Sequence, residues 1–206
     1  MKKILASLTL AASLAITAAP LPAAAQSDAA ELSDAQQATV ERIEGYLNSI
    51  TTMQARFTQT AENGGVAEGD FYLSRPGRMR IEYDELPYLY VADGFWLTYY
   101  DKELGQRSDA LLGSSLADFI TRPDIELSGD VTVRGVRDEG GRIEIDIVQT
   151  SDPGAGMLTL VFTDSPLRLD SWIVADAAGL TTEIQLSNAR FGGQLSSSLF
   201  VAPRPD

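Results

Sequence analysis

The hydrophobic pattern of the chain has the period of a helix near its start and the period of a strand over most of its length. Residues 32–50 place apolar side chains at every third or fourth position, which predicts one amphipathic helix. Ser33 and Gln36 match a capping box at its beginning. From residue 52 onward the pattern repeats every second residue, as expected of half-buried strands. The first predicted strands lie near 53–61, 67–83, 87–92 and 95–100.

A second helix is predicted over residues 114–121, where apolar residues return to helical spacing and "TRPD" ends the helix at its proline. Alternation then resumes, with the clearest runs at 143–147 and 158–162. The total is ten or eleven antiparallel strands with one N-terminal and one internal helix. Strands of this even spacing predict a sandwich or a strongly curved, barrel-like sheet, and a wide barrel leaves a ligand cavity.

One basic residue interrupts the apolar face of the strand predicted over 67–83. Side chains two apart share a face, so Phe71, Leu73 and Met79 would stand beside Arg75. The Pro-Gly pair that follows Arg75 offers an alternative, because a bulge or turn there would flip the alternation and return the guanidinium to solvent.

The N-terminal residues 1–25 are typical of a targeting segment. Two lysines precede an uncharged apolar run, and "PAAAQ" supplies a cleavage site after Ala25. The run is shorter than the roughly 20 residues that a membrane-spanning helix needs. We therefore expect residues 26–206 to form a single exported domain, soluble in the periplasm of a two-membrane bacterium.

Composition excludes several classes of function. The chain has 29 acidic and 16 basic residues, a net charge of −13, which argues against binding to nucleic acid. It contains no histidine and no cysteine, so Ser-His-Asp and Cys-His catalysis, disulfides, and histidine or thiolate metal sites are excluded. We expect neither cofactor nor metal. A carboxylate pair could act as acid and base, but chance pairs are expected among so many acidic residues.

Four segments together resemble a known family, the periplasmic outer-membrane lipoprotein carriers called LolA. The segment "ARFTQ" at 55–59 resembles the family's first strand, and "GDFYLSRPGRMRIEY" at 69–83 resembles the next, including its Arg-Pro pair. "VADGFWLTYYD" at 91–101 and "DAAGLTTEIQLSN" at 176–188 are similar to later strands. The resemblance covers nearly the whole chain after the leader.

The resemblance implies an unclosed antiparallel β-barrel whose helices cover a hydrophobic cavity as a lid. It also implies a monomeric carrier, without enzymatic activity, that accepts acylated lipoproteins from the inner-membrane ABC transporter LolCDE. Members of the family deliver this cargo to the outer membrane, in many bacteria through the receptor LolB.

The resemblance also assigns site residues. Arg75 matches the family arginine that hydrogen-bonds to the lid and holds it closed. The lid would then supply the acceptors that a guanidinium on an apolar face requires. The expected acyl-chain cavity is lined by Phe57, Phe71, Leu73, Met79, Ile81, Tyr83, Leu97, Leu158, Leu160 and Phe162. The expected underside of the lid helix consists of Leu112, Leu116, Phe119 and Ile120.

Other interpretations remain open on the sequence. From spacing alone, the apolar stripes are those of an ordinary packed core rather than a ligand cavity. The same fold could carry another lipid or sense mislocalised lipoproteins, as RseB-like proteins do, although those chains carry an additional domain. A carboxylate-dependent enzyme acting on polysaccharide and a purely structural envelope protein are the alternatives from other classes.

Overall fold

The computed structural model describes residues 32–114 and 116–204 of the chain. The predicted leader, residues 1–25, lies outside the described residues. Two α-helices and eleven β-strands follow one another along the described part, and they are bounded as follows: α1 Asp34–Ser49, β1 Thr52–Ala61, β2 Val66–Ser74, β3 Arg78–Tyr83, β4 Tyr88–Asp93, β5 Trp96–Asp101, β6 Gln106–Leu111, α2 Leu116–Thr121, β7 Val131–Glu139, β8 Arg142–Gln149, β9 Gly156–Thr163, β10 Arg168–Asp176 and β11 Thr181–Phe191.

All eleven strands belong to one antiparallel sheet with the order β6-β5-β4-β3-β2-β1-β11-β10-β9-β8-β7. Strands that are neighbours in the sheet are also consecutive in the chain, except β1 and β11, which join the first half of the sheet to the second. The edge strands β6 and β7 do not pair with each other, so the sheet is open. The prediction of a mainly β, unclosed antiparallel barrel with about eleven strands is confirmed.

Both predicted helices are present. Helix α1 begins at the capping box formed by Ser33 and Gln36, and it buries Val40, Ile43 and Leu47 on one face, as the helical spacing requires. Helix α2 is short, follows a 3₁₀ turn, and ends at Thr121, just before the Arg-Pro pair. Neither helix has the length and apolar character needed to cross a membrane, as judged on the described residues.

The single strand predicted over 67–83 is wrong, because the chain reverses direction at Arg75–Gly77 to form the β2–β3 hairpin. Gly77 adopts a φ of +77°, which side chains rarely tolerate, and a Cβ there would lie 2.8 Å from the Cα of Gly94. Leu73 pairs with Met79 across the hairpin, so both still face inward. The turn therefore preserves the apolar face on which the prediction rested.

The interior consists of two hydrophobic clusters, one in each half of the sheet. The first joins α1 to the strands β7–β10 and contains Ile43, Ile145 and Phe162. The second belongs to β1–β4 and contains Met53 and Phe71. Three partly buried side chains pack against both clusters, namely Tyr46, Ile120 and Leu186. The two clusters meet beneath the ends of the helices, and this is where the cavity lies.

Candidate functional site

An apolar cavity of about 190 Å³ lies between the two clusters. The strands supply most of its wall, and six of the predicted cavity residues lie there: Phe71, Leu73, Met79, Ile81, Leu158 and Leu160. Their placement follows from cross-strand pairing, since Phe71 pairs with Ile81 and Leu73 with Met79 on the inner face. Among the described residues of the wall, Arg75 is the only charged one.

The two helix ends close one side of this cavity. Leu47 belongs to the last turn of α1 and Ile50 caps it, while Phe119 and Ile120 of α2 line the cavity. Ile125, from the segment after α2, completes this side. We use the word lid for α1 together with residues 116–127.

Five predicted site residues have other positions, and a sixth is not described. Phe57, Phe162 and Leu112 are buried in the clusters but do not line the cavity. Tyr83 and Leu97 are partly buried and pack against the second cluster. The side chain of Leu116 lies outside the described part of the structure. The hydrophobic pattern correctly identified these positions as inward-facing where they are described, but it could not separate core from cavity wall.

The wall also contains residues that the sequence analysis missed, chiefly Leu169, Trp172 and Val174 of β10. Their spacing is not two throughout, because the pairing of β10 with β9 shifts register between Leu169 and Ser171. A β-bulge of this kind turns Leu169 and Trp172 to the same face although they are three residues apart. Strict alternation therefore fails at the point where the tryptophan enters the cavity.

Arg75 reaches from the β2–β3 turn to the carbonyls at the ends of both helices. Its Nε donates to the carbonyl oxygen of Ile120 at 2.8 Å, and its Nη1 donates to that of Ile50 at 3.1 Å. The same Nη1 also donates to the carbonyl oxygen of Leu47. Burial lowers the pKa of the Arg75 guanidinium to about 10. One side chain thus bridges α1 and α2.

The chemistry of this contact follows from helix geometry. The last carbonyls of a helix have no intrahelical partner, and the helix dipole gives this end a partial negative charge. A guanidinium offers five donors in a fixed fork and therefore suits several carbonyls at once. Among the described residues no carboxylate lies within 4.0 Å of Arg75, so its acceptors are neutral.

Two main-chain hydrogen bonds fix the turn in the same place. The amide of Arg75 donates to the carbonyl of Thr51 at 2.8 Å, directly after α1. The amide of Gly77 donates to the carbonyl of Thr121 at 2.7 Å, at the end of α2. The guanidinium is therefore held at the junction of the two helices by the backbone of its own turn.

A second, more polar groove of about 430 Å³ adjoins the cavity and shares Phe119, Leu158 and Val174 with it. Arg122 crosses the groove and pairs with Asp118 and Asp130, each at 2.9 Å. The hydrogen bonds from Arg122 lower the pKa of Asp130. The apolar cavity and the polar groove therefore share part of their walls beside α2.

Comparison with known proteins gives one consistent result. Residues 48–203 match the model of the family described as "Outer membrane lipoprotein carrier protein LolA". An outer-membrane lipoprotein carrier protein of Methylococcus capsulatus is 30% identical over 83% of this chain and 86% of its own. One from Ralstonia nicotianae is 31% identical over 81% and 83%. An uncharacterized conserved protein of Thermus thermophilus has a similar fold, with a TM-score of 0.51 and 14% identity over 82% of this chain and 94% of its own.

Proposed function

We propose that this chain, which belongs to the LolA family of outer-membrane lipoprotein carrier proteins, carries lipoproteins with their acyl chains inside the apolar cavity. The observation that carries the proposal is that one arginine in the cavity wall joins the two helix ends and donates only to main-chain carbonyls. Such a contact can break and re-form without leaving a charged partner behind.

The size of the cavity supports a lid that moves. Its volume of about 190 Å³ is below the roughly 300–1,000 Å³ of pockets that hold small ligands. Acyl chains of lipid length therefore cannot enter unless the helix ends move away from the strands. Movement of the lid requires the Arg75 hydrogen bonds to break, so uptake of lipid and opening of the lid are one event.

A closed empty state also solves the problem of release. Burying an acyl chain is worth about 0.8 kcal/mol per CH₂, which would hold a lipid of ordinary length almost irreversibly. A competing closed conformation lowers the apparent affinity by the fraction of protein that is closed. The hydrogen bonds of Arg75 stabilise that closed state, and they therefore set how readily cargo leaves.

The route of the cargo completes the proposal. The leader over residues 1–25 directs export, and the mature domain acts in the periplasm as a monomer. It receives acylated lipoproteins from an inner-membrane ABC transporter of the LolCDE type and delivers them to the outer membrane, where a LolB-type receptor accepts them. Because the chain has a net charge of −13, its docking partners are expected to present basic surfaces. The carrier uses no cofactor and performs no chemical step.

A release assay tests the function directly. Purified protein is added to spheroplasts of a two-membrane bacterium, and the supernatant is examined for acylated lipoproteins bound to it. We expect release that requires ATP. The control is a Leu160→Asp variant, which places a carboxylate in the cavity wall and should bind no acyl chain.

Two results would contradict the proposal in different ways. If no lipoprotein is released but mass spectrometry finds another lipid in the purified protein, the cavity binds lipid and the cargo is different. If neither lipoprotein nor lipid is bound, the protein is not a carrier, and a structural or enzymatic role must be sought.

A further inference from the structure

The two parts of the lid are also joined to each other, by contacts that do not involve Arg75. The side chain of Asn48 holds the main chain of Ile125 twice: its Oδ1 accepts from the Ile125 amide at 2.7 Å, and its Nδ2 donates to the Ile125 carbonyl at 3.0 Å. One turn earlier in α1, Glu44 Oε2 accepts from the amide of Leu127 at 2.9 Å. Three main-chain groups after α2 are thus bound by one face of α1.

The spacing of these contacts is matched between the two elements. Glu44 and Asn48 are four residues apart on a helix, which separates them by about 6 Å along its axis. Ile125 and Leu127 are both buried and Glu126 between them is exposed, an alternation typical of an extended segment, in which residues two apart are separated by about 6.6 Å. In an extended segment alternate residues present their polar groups to the same side. The face of α1 therefore acts on residues 125–127 as a neighbouring strand would.

The position of Asn48 connects these contacts to the Arg75 bridge. Asn48 lies between Leu47 and Ile50, whose carbonyls accept hydrogen bonds from Arg75. It also binds the segment after Ile120, whose carbonyl is the third acceptor of Arg75. Its partner Ile125 is only 1% exposed, and the Ile125 side chain lines the cavity. Asn48 consequently links the end of α1, which carries two of the Arg75 acceptors, to one part of the cavity wall.

We propose that Asn48 is a positioning residue that makes α1 and residues 116–127 move as a single body when the lid opens. The inference rests on the proposed carrier function, since it assigns how the closed lid responds to an acyl chain. Breaking the Arg75 bridge then frees both parts together, and closing restores all three acceptors in one step. Without Asn48 each part would leave the strands separately, and the Arg75 acceptors would no longer be held in register.

Distances between spin labels can test this, and the absence of native cysteine makes labelling specific. Cysteines replace Glu41 on α1, Glu126 after α2 and Thr181 on the sheet, all of which are exposed. Pairs of labels are measured in the empty protein, in protein loaded with a dipalmitoylated cysteinyl peptide, and in the Arg75→Leu background. We expect both distances to Thr181 to change on opening, while the distance between Glu41 and Glu126 stays the same.

The variant Asn48→Ala should uncouple the two parts. The distribution of distances between the labels at Glu41 and Glu126 should then broaden on loading. The empty protein should also bind about tenfold more of an apolar dye, because two hydrogen bonds of buried main-chain groups are lost. Asn48→Asp keeps the acceptor for the Ile125 amide and should have a smaller effect, which provides a second variant if the first folds poorly. Asn63→Ala is the matched control, because Asn63 also binds a main-chain amide, that of Gly65, in a distant turn.

Two outcomes would overturn the inference. One is a distance between Glu41 and Glu126 that changes in the unmodified protein as much as the distances to the sheet. The other is an Asn48→Ala protein whose distances and dye binding equal those of Asn63→Ala. The carrier function is judged separately by the stoichiometry of bound peptide in a native mass spectrum. If the peptide fails to bind, the function is wrong, and the Arg75→Leu background still decides whether the lid moves as one body.

Discussion

Two arginines in different regions of the molecule satisfy their donors in opposite ways. Arg75 lies at the helix ends and donates to the neutral carbonyls of Leu47, Ile50 and Ile120. Arg137 lies on β7 and binds two carboxylates, Glu144 at 2.7 Å and Asp146 at 3.0 Å. Seven further arginines of the described chain pair with at least one carboxylate, namely Arg42, Arg56, Arg80, Arg107, Arg122, Arg142 and Arg168.

The difference separates a contact that must open from one that need not. When a guanidinium leaves a carboxylate in a partly buried place, an unpaired charge remains, and the cost is several kcal/mol. When it leaves a main-chain carbonyl, the acceptor left behind is a neutral dipole, and water that enters as the lid opens can pair with both the carbonyl and the guanidinium. We therefore expect the ion pairs of Arg137 to stay formed, and the hydrogen bonds of Arg75 to break and re-form.

The strongest test of this comparison is Arg75→Leu. It removes three hydrogen bonds that hold the lid, which should shift the closed–open equilibrium by about 3 kcal/mol, or roughly 100-fold. The empty variant should bind an apolar fluorescent dye strongly, while its urea midpoint changes little. Arg75→Lys keeps the charge but loses the planar guanidinium with its several donors, so it should bind dye to an intermediate extent. Dye fluorescence equal to that of the unmodified protein would show that Arg75 does not hold the lid.

The matched substitution in the other region is Arg137→Leu. Asp146 would lose its charged partner and keep only the hydroxyl of Thr159, which donates to it at 2.7 Å. We expect the free energy of unfolding to fall by about 2 kcal/mol in urea titrations, with unchanged dye binding. Increased dye binding in this variant would mean that the two regions are not independent.

A pair of leucines on the inner face of the sheet tests where the binding surface lies. Leu158 lines the cavity and Leu97 does not, although both are partly buried. Leu158→Asn should weaken binding of a dipalmitoylated cysteinyl peptide about tenfold, a cost of roughly 1.4 kcal/mol. Leu97→Asn should change it much less in the same fluorescence titration. Equal losses would show that the loaded cavity extends along β5 as the sequence predicted.

The smallest expected effect is the pH dependence of the free energy of unfolding. Burial opposes ionisation of Asp146, but hydrogen bonds from Arg137 and Thr159 outweigh this and lower its pKa, and Arg142 and Arg137 lower that of Glu144. A carboxyl group with a lowered pKa in the folded state stabilises the fold above its ordinary pKa near 4 and loses this contribution as pH falls.

Urea unfolding from pH 7 to pH 3 should therefore show a smaller loss of stability for Arg137→Leu than for the unmodified protein. Dye binding by the empty protein should not vary between pH 5 and 8, because the Arg75 acceptors are uncharged and its pKa is about 10. A dye signal that titrates in this range would assign lid closure to an ionisable group other than Arg75.

Much of this fold can be read from local patterns. The capping box and the apolar spacing over residues 32–50 predict α1, and alternation predicts most strands of the sheet. The edge strand β6 was not predicted individually, because its sequence "QRSDAL" is polar and largely exposed and so carries no alternation. A strand of this kind forms because its neighbour β5 offers unpaired main-chain groups, which is a tertiary effect.

The sequence alone also determined that Arg75 would need partners, since a guanidinium among apolar side chains must find acceptors. Only the tertiary structure decided that these are the carbonyls of two helix ends, that the chain turns at Arg75–Gly77, and that Leu169 and Trp172 share the cavity wall. The physical reason is that periodicity reports which side of an element faces inward. Whether that side meets another side chain or an empty cavity depends on distances between elements far apart in the chain.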